Sequence, residues 1–177
     1  MHFEHSLQIA VPAQVAYETM RDSLDKLIVY LPNIASITIL ERNESGNKVS
    51  ITSRWQGKHI LPDIIGQIIK IPDMAWLDRA EWLNDKYVYN WSYEPFVFKE
   101  YIEMYGTDTY SADDDYTTII VRGNVIANFL NYPLLPPALR DTINDEISKV
   151  LCSRIEPNFI ALYTGLEQYV QAHTKNS

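Results

Sequence analysis

Chemistry in this chain would have to come from a few polar side chains set among apolar ones in extended runs: Arg54, Asp78, Arg79, Glu103 and Arg122. A carboxyl group facing an apolar interior can serve as a general acid or base, and an arginine there can polarise a carbonyl. Alternation puts Asp78 in phase with Trp76, Ala80 and Trp82, and Arg79 in phase with Leu77 and Leu83. One of the two must therefore face inward with apolar neighbours. A buried structural ion pair accounts for the same pattern. Asp78, Arg79 and Glu103 stand as candidate catalytic residues on these grounds.

Aromatic residues crowd the same region. Trp76, Trp82, Tyr87, Tyr89, Trp91, Tyr93, Tyr101 and Tyr105 are mostly two apart and so share faces of extended chain. Rings arranged in this way suit a flat or ring-bearing ligand, and they equally fill a thick core. His5 falls on the apolar side of the first extended run, as a core histidine would. His2, His59 and His173 are scattered, so no local histidine pair suggests a metal, and none is expected. Cys152 is the only cysteine, which excludes an intramolecular disulfide and any multi-cysteine metal cluster. There is no Gly-x-Ser-x-Gly elbow, and the 6 glycines are too dispersed for a phosphate-binding loop. No cofactor is expected.

The composition narrows the partners. A chain of 177 residues with 46% hydrophobic and 21% charged residues is that of one ordinary globular domain. Its formal charge of -8 repels phosphate backbones, so nucleic acid is excluded as a partner. No apolar stretch reaches the roughly 20 residues that span a bilayer, and Met1-His2-Phe3-Glu4-His5 does not resemble a signal peptide. A cytoplasmic location is the expectation.

The elements that must position these residues follow from periodicity. Residues 3–11 alternate with one apolar face and predict a strand. Pro12 opens a short helix that ends near Arg21, and Leu24, Leu27, Ile28 and Leu31 give a second, stopped by Pro32. Residues 34–42 and 48–56 form a hairpin about Asn43-Glu44-Ser45-Gly46-Asn47. Strands over 75–83, 87–93, 99–111 and 116–125 continue the meander, making seven in all. A long helix over 138–172 carries Leu139, Ile143, Ile147, Leu151, Ile155, Phe159, Leu162, Leu166 and Tyr169 on its inner side, with a kink expected at Pro157.

Two further segments are unusually apolar. Residues 57–72 place Ile64, Ile65, Ile68 and Ile69 at helical spacing behind Pro62-Asp63, which predicts either a short helix over a pocket mouth or one packed permanently on the core. Phe129-Leu130-Asn131-Tyr132-Pro133-Leu134-Leu135-Pro136 is more apolar than a connecting loop normally is, marking a ligand or partner contact, or packing beneath the long helix.

The order of strand, two short helices, six antiparallel strands and long terminal helix resembles the START-like (SRPBCC) helix-grip superfamily of polyketide cyclases, lipid-transfer domains and pollen-allergen-type proteins. Local marks are Val11-Pro12, Trp55-Gln56-Gly57, Asn158-Phe159-Ile160-Ala161-Leu162 and Gly165-Leu166-Glu167-Gln168-Tyr169. The segment 57–72 is an insertion relative to simple members. The resemblance implies an α+β fold in which a curved seven-stranded antiparallel sheet wraps the long C-terminal helix, over residues 1–177 as one domain. It also implies a cavity between them. The expected ligand-binding residues are then Trp55, Trp76, Tyr89 and Trp91 from the strands, Ile64 and Ile68 from the insert, Phe129 from the loop, and Ile147, Leu151 and Phe159 from the helix. Three functions fit: a carrier of a hydrophobic small molecule or lipid, a polyketide cyclase or dehydratase-like enzyme, and a co-chaperone-like interaction module using exposed sheet aromatics. Fold alone does not choose among them.

Overall fold

A computed structural model describes residues 1–58, 75–113, 116–133 and 137–174. Residues 59–74, which take in most of the 57–72 insert with Ile64 and Ile68, and Leu134-Leu135-Pro136 lie outside the described residues, as does the side chain of Cys152.

Seven strands form one antiparallel sheet: β1 (His2–Ile9), β2 (Ile34–Ser45), β3 (Lys48–Gly57), β4 (Ala75–Leu83), β5 (Val88–Pro95), β6 (Ile102–Asp113) and β7 (Tyr116–Ala127). Their spatial order is β1-β7-β6-β5-β4-β3-β2, so β2 to β7 run as a meander and β1 returns to pair with β7. The connection between β1 and β2 holds α1 (Ala13–Asp22) and a 3-10 turn (Leu24–Tyr30). After a short 3-10 turn at Pro137–Leu139, the chain ends in the long α2 (Arg140–Thr174), which continues through Pro157.

The second of the two expected short helices is a 3-10 helix. Leu24, Leu27 and Tyr30 are spaced by three, the period of the tighter helix, and Leu24 and Leu27 are its buried residues. Ser23 makes no side-chain capping bond, and Leu31, preceding Pro32, is already extended at φ -106 and ψ 92. The first hairpin closes more tightly than predicted: Ser45 pairs with Lys48, leaving Gly46 at φ +58 and Asn47 to turn the chain. β5 and β6 begin later than their alternation suggests. Tyr87 and Phe98 hold positive φ values of 50 and 65, and Phe98 accepts backbone bonds from Tyr101 and Ile102 before pairing starts.

Alternation delivers Val49, Ile51, Trp55, Ala80, Trp82, Tyr89, Trp91, Ile119 and Val121 to the concave face, where all are buried. Ala16, Tyr17 and Met20 of α1 cover one end of this face, and Phe159, Leu162, Tyr163, Leu166 and Val170 of α2 cover more of it. Gly165 sets how closely α2 lies on the 3-10 turn, since a Cβ there would stand 2.6 Å from Tyr30 Cβ. A smaller cluster of Ile102, Phe129 and Ile147 closes the other end, with Phe98, Tyr101 and Tyr132 packed around it.

Candidate functional site

The site begins with a packing problem that the sequence solves with two glycines. Trp91 lies in register between Ala80 of β4 and Gly106 of β6, and Gly106 in turn faces Gly123 of β7 and then Phe3 of β1. The missing side chains leave a floor on which the indole lies. A Cβ on Gly106 would come within 2.3 Å of Trp91 Cζ2, and one on Gly123 within 2.9 Å of Trp91 Cη2. Phe3 and Phe159 flank the same ring at centroid separations of 6.4 and 5.7 Å.

Held in this way, Trp91 points its N–H inward, and Nε1 donates to Asp108 Oδ1 at 2.8 Å. The other oxygen of Asp108 accepts from the Tyr163 hydroxyl on α2, and Tyr163 also shares a 3.0 Å bond with Tyr110. A second carboxyl, Asp78, accepts from the Tyr89 hydroxyl at 3.1 Å. Next to Asp78 in register, Ser53 accepts the Trp55 N–H at 3.0 Å. Asp78 and Asp108 are both 0% exposed. Burial, the dominant cause, pushes each carboxyl up to about 7, against the pull of Tyr89 on Asp78 and of Tyr163 and Trp91 on Asp108. The charge of Asp108 raises Asp78 further. Burial first, then the charges of both carboxyls at Tyr89 and Tyr93 and of Asp108 at Tyr110 and Tyr163, push these hydroxyls well above the usual phenol range.

Above this network lies a cavity of about 140 Å³ between the sheet and α2. Its sheet wall is Trp55, Trp76, Trp91, Tyr93, Ile102 and Met104, and its helix wall is Leu151, Asn158, Phe159, Ala161 and Leu162. Leu31, Pro32, Asn33 and Ile34 complete it from the segment that enters β2. Trp55 stacks on Trp76 at 5.8 Å and Trp91 on Tyr93 at 4.7 Å, with interplanar angles of 20° and 22°. Asn33 donates to Asn158 at 3.2 Å, tying the entry segment to the helix. The carboxyls do not line the cavity; the rings of Trp55, Trp91 and Tyr93 stand among its lining residues instead.

The structure therefore sorts the expected site residues. Trp55, Trp76, Trp91, Leu151 and Phe159 line the cavity, whereas Tyr89, Phe129 and Ile147 lie outside its lining. Tyr89 sits deeper, stacked on Trp82 at 4.1 Å, and Phe129 and Ile147 belong to the smaller end cluster. Of the two phase alternatives, Asp78 faces inward. Arg79 faces outward, 54% exposed in its side chain, and pairs with Glu94 at 3.0 Å. Glu103 is exposed on the same outer face, where both residues border a charged groove of about 490 Å³. Outside the cavity, Arg79→Ala is expected to change stability by no more than about 0.5 kcal/mol, as an exposed ion pair does, with ligand uptake unaltered. Urea unfolding of parent and variant checks this.

Asp108, Tyr163, Tyr110, Ser53 and Met104 were not singled out from sequence, and Tyr93 only as one of the strand aromatics. For Asp108 a signal existed: it is in phase with Ile102, Met104, Gly106 and Tyr110, so a buried carboxyl was implied by β6 alone. Its partner Tyr163, 55 residues away, had no such signal.

Among the described residues no group of three or more His, Cys, Asp or Glu is arranged to hold a metal. Among them, too, no helix is long and apolar enough to cross a membrane.

No family model matches the sequence, and no curated protein matches it. Solved structures do. The Zhui aromatase/cyclase from Streptomyces sp. R1128 superposes with a TM-score of 0.70 at 16% identity, covering 98% of this chain and 95% of that one. A protein of Thermus thermophilus gives 0.66 at 17% identity, with 98% and 99% covered. A START superfamily protein from Mycobacterium smegmatis gives 0.56 at 14% identity, with 97% of each chain covered. Likeness at these identities carries the fold and nothing finer. With a β2–β7 meander to which β1 returns beside β7, and its long helix laid on the concave face, the chain has the START-like helix-grip fold.

Proposed function

We propose that the protein binds a small hydrophobic, ring-bearing molecule in the cavity between the sheet and α2. The observation that carries this reading is the ring-lined void itself: Trp55, Trp76, Trp91, Tyr93 and Phe159 surround space that the core does not fill. Protein interiors are packed to crystal density, so an unfilled apolar volume forfeits dispersion contacts that a ligand restores. Its scale of about 140 Å³ matches cavities of about 150 Å³ that take up benzene, and falls below the roughly 300 Å³ at which drug-sized sites begin. A single ring fits. A sterol or a whole acyl lipid would have to part the Asn33–Asn158 contact and move α2 from the entry segment.

Native mass spectrometry of the freshly purified protein, followed by organic extraction, tests the reading. The expected result is a stoichiometric adduct of low mass that extraction removes. A bare chain that stays bare after incubation with small aromatic compounds would contradict it.

A second reading, a cyclase- or dehydratase-like enzyme, is favoured by one observation: two buried carboxyls that exchange protons near neutral pH beneath the cavity. It requires proton transfer to pass through Tyr93 or a rearranged indole, because the carboxyls are not in the lining. Asp78→Asn separates the two. Lost turnover with retained uptake supports an enzyme, and unchanged behaviour in both supports a carrier.

A further inference from the structure

We infer that Tyr93 is the polar anchor of the cavity, its hydroxyl donating to a carbonyl or ether oxygen on a neutral ring-bearing ligand. This rests on the cavity being a ligand site, as proposed above, and adds the chemistry the ligand presents and the residue that selects it.

The other polar side chains of the described wall are either engaged or out of reach. Trp55 gives its N–H to Ser53 and Trp91 gives its N–H to Asp108. Trp76 Nε1 is sealed in the core. Asn33 and Asn158 bond to each other, and the exposed Asn33 puts that pair at the solvent edge. Tyr93 differs from all of these. The Tyr89 hydroxyl lies near enough to ease its ionisation, yet Tyr89 donates to Asp78 at 3.1 Å, and no hydrogen bond of ordinary length joins the two tyrosines. Among the described residues, the buried side-chain nitrogens and oxygens that lack a partner are those of Trp76 and Trp82 alone. Tyr93 Oη, bonded to nothing and not among them, therefore keeps surface that a small molecule can touch.

That surface faces the cavity. Tyr93 borders both the cavity and the outer groove, but its ring is stacked on Trp91 on the concave side, and Asp78 and Tyr89, which act on its hydroxyl, lie on that side too. A hydroxyl proton is costly to leave unpaired in so apolar a site. Asp78, beside Tyr93 in register, is already engaged by Tyr89, so an oxygen of the ligand is the acceptor left for it. The rest of the lining fixes charge and shape. No described lining residue is ionisable except Tyr93, whose hydroxyl burial holds neutral, so a charged ligand would find no counter-ion. The paired rings of Trp55 with Trp76 and of Trp91 with Tyr93 suit a flat molecule.

Acetophenone and isopropylbenzene have nearly the same outline, and only the first carries an acceptor. Calorimetric titration would give their affinities for the parent and for Tyr93→Phe, which keeps the ring on Trp91 and removes only the hydroxyl. The ratio of acetophenone to isopropylbenzene affinity is expected to fall about fivefold in the variant. Infrared spectra of carbonyl-labelled acetophenone report on the contact itself. The carbonyl stretch of the bound ligand is expected below its frequency in hydrocarbon solvent with the parent, and at the hydrocarbon value with Tyr93→Phe. Should the variant fail to fold, the parent's stretch decides, since a hydrocarbon value there overturns the contact. An unchanged ratio, or a stretch that Tyr93→Phe leaves lowered, would overturn the role of Tyr93 and leave the cavity reading standing. Binding of neither compound would overturn both.

Discussion

Alanine in place of Gly106 is expected to destabilise the protein by more than about 4 kcal/mol, the range reached by severe overpacking of a core. The added Cβ would stand 2.2 Å from the backbone oxygen of Arg122 and 2.3 Å from Trp91 Cζ2. Relief has only two directions. Moving the Arg122 carbonyl breaks the β6–β7 pairing in which Thr107 faces Arg122 and Gly106 faces Gly123. Lifting the indole takes Trp91 Nε1 off Asp108 and leaves a fully buried carboxyl without one of its donors. Chemical unfolding followed by tryptophan fluorescence measures the loss, and binding of a small aromatic compound measures the damaged wall. A Gly106→Ala protein with parental stability and uptake would show that the indole does not lie on a glycine floor.

The second large effect is on pH. Each of Asp78 and Asp108 has its folded-state pKa raised from 3.8 to about 7. Between about pH 4 and 7 the folded chain therefore holds protons that the unfolded chain has released. Stability then falls as pH rises through this window and levels off above it. A shift of this size, at about 1.4 kcal/mol per unit, sets a scale of about 4 kcal/mol for one carboxyl. Asn in place of Asp108 keeps an oxygen for the Trp91 N–H and removes the ionisation. Asp108→Asn is expected to be more stable than the parent at pH 8, to lose that advantage by about pH 5, and to flatten the parental decline between them. Unfolding free energies of both proteins across this range decide the matter. Equal slopes would mean that the carboxyl is already ionised in the folded chain, with a charge partner that compensates for burial.

Both effects arise from residues whose partners are distant in sequence, and this explains what could be read from the chain and what could not. Alternation fixed which side chains of a strand share a face, so Asp78 was legible as a neighbour of Trp76 and Trp82, but which of the two faces turns inward was not. Asp108 was legible by the same rule and overlooked. The pairing of β2 with β3 and the meander from β4 to β7 followed from short connections and the long helix from its apolar stripe, whereas the β3–β4 and β1–β7 pairings, across a long insert and across the chain, did not. The starts of β5 and β6 were not legible, because Tyr87 and Phe98 adopt positive φ, a conformation that no local preference of these residues announces. Nor could periodicity distinguish rings that line a void from rings that fill the core. Trp82 and Trp76 share a face of β4, yet one is sealed under Tyr17 and Tyr89 and the other borders the cavity. That difference is set by where α1 and α2 cover the sheet, a property of the assembled layers rather than of any one strand.

The most direct test of the account is an NMR titration of the protein with isopropylbenzene, run in parallel on Ala161→Trp, which places a large ring in the cavity from its helix wall. The account predicts saturable shifts confined to the wall, at Trp91, Tyr93, Met104 and Phe159, and their loss in Ala161→Trp. Shifts scattered over the surface, or a titration that the filled cavity leaves unchanged, would contradict it.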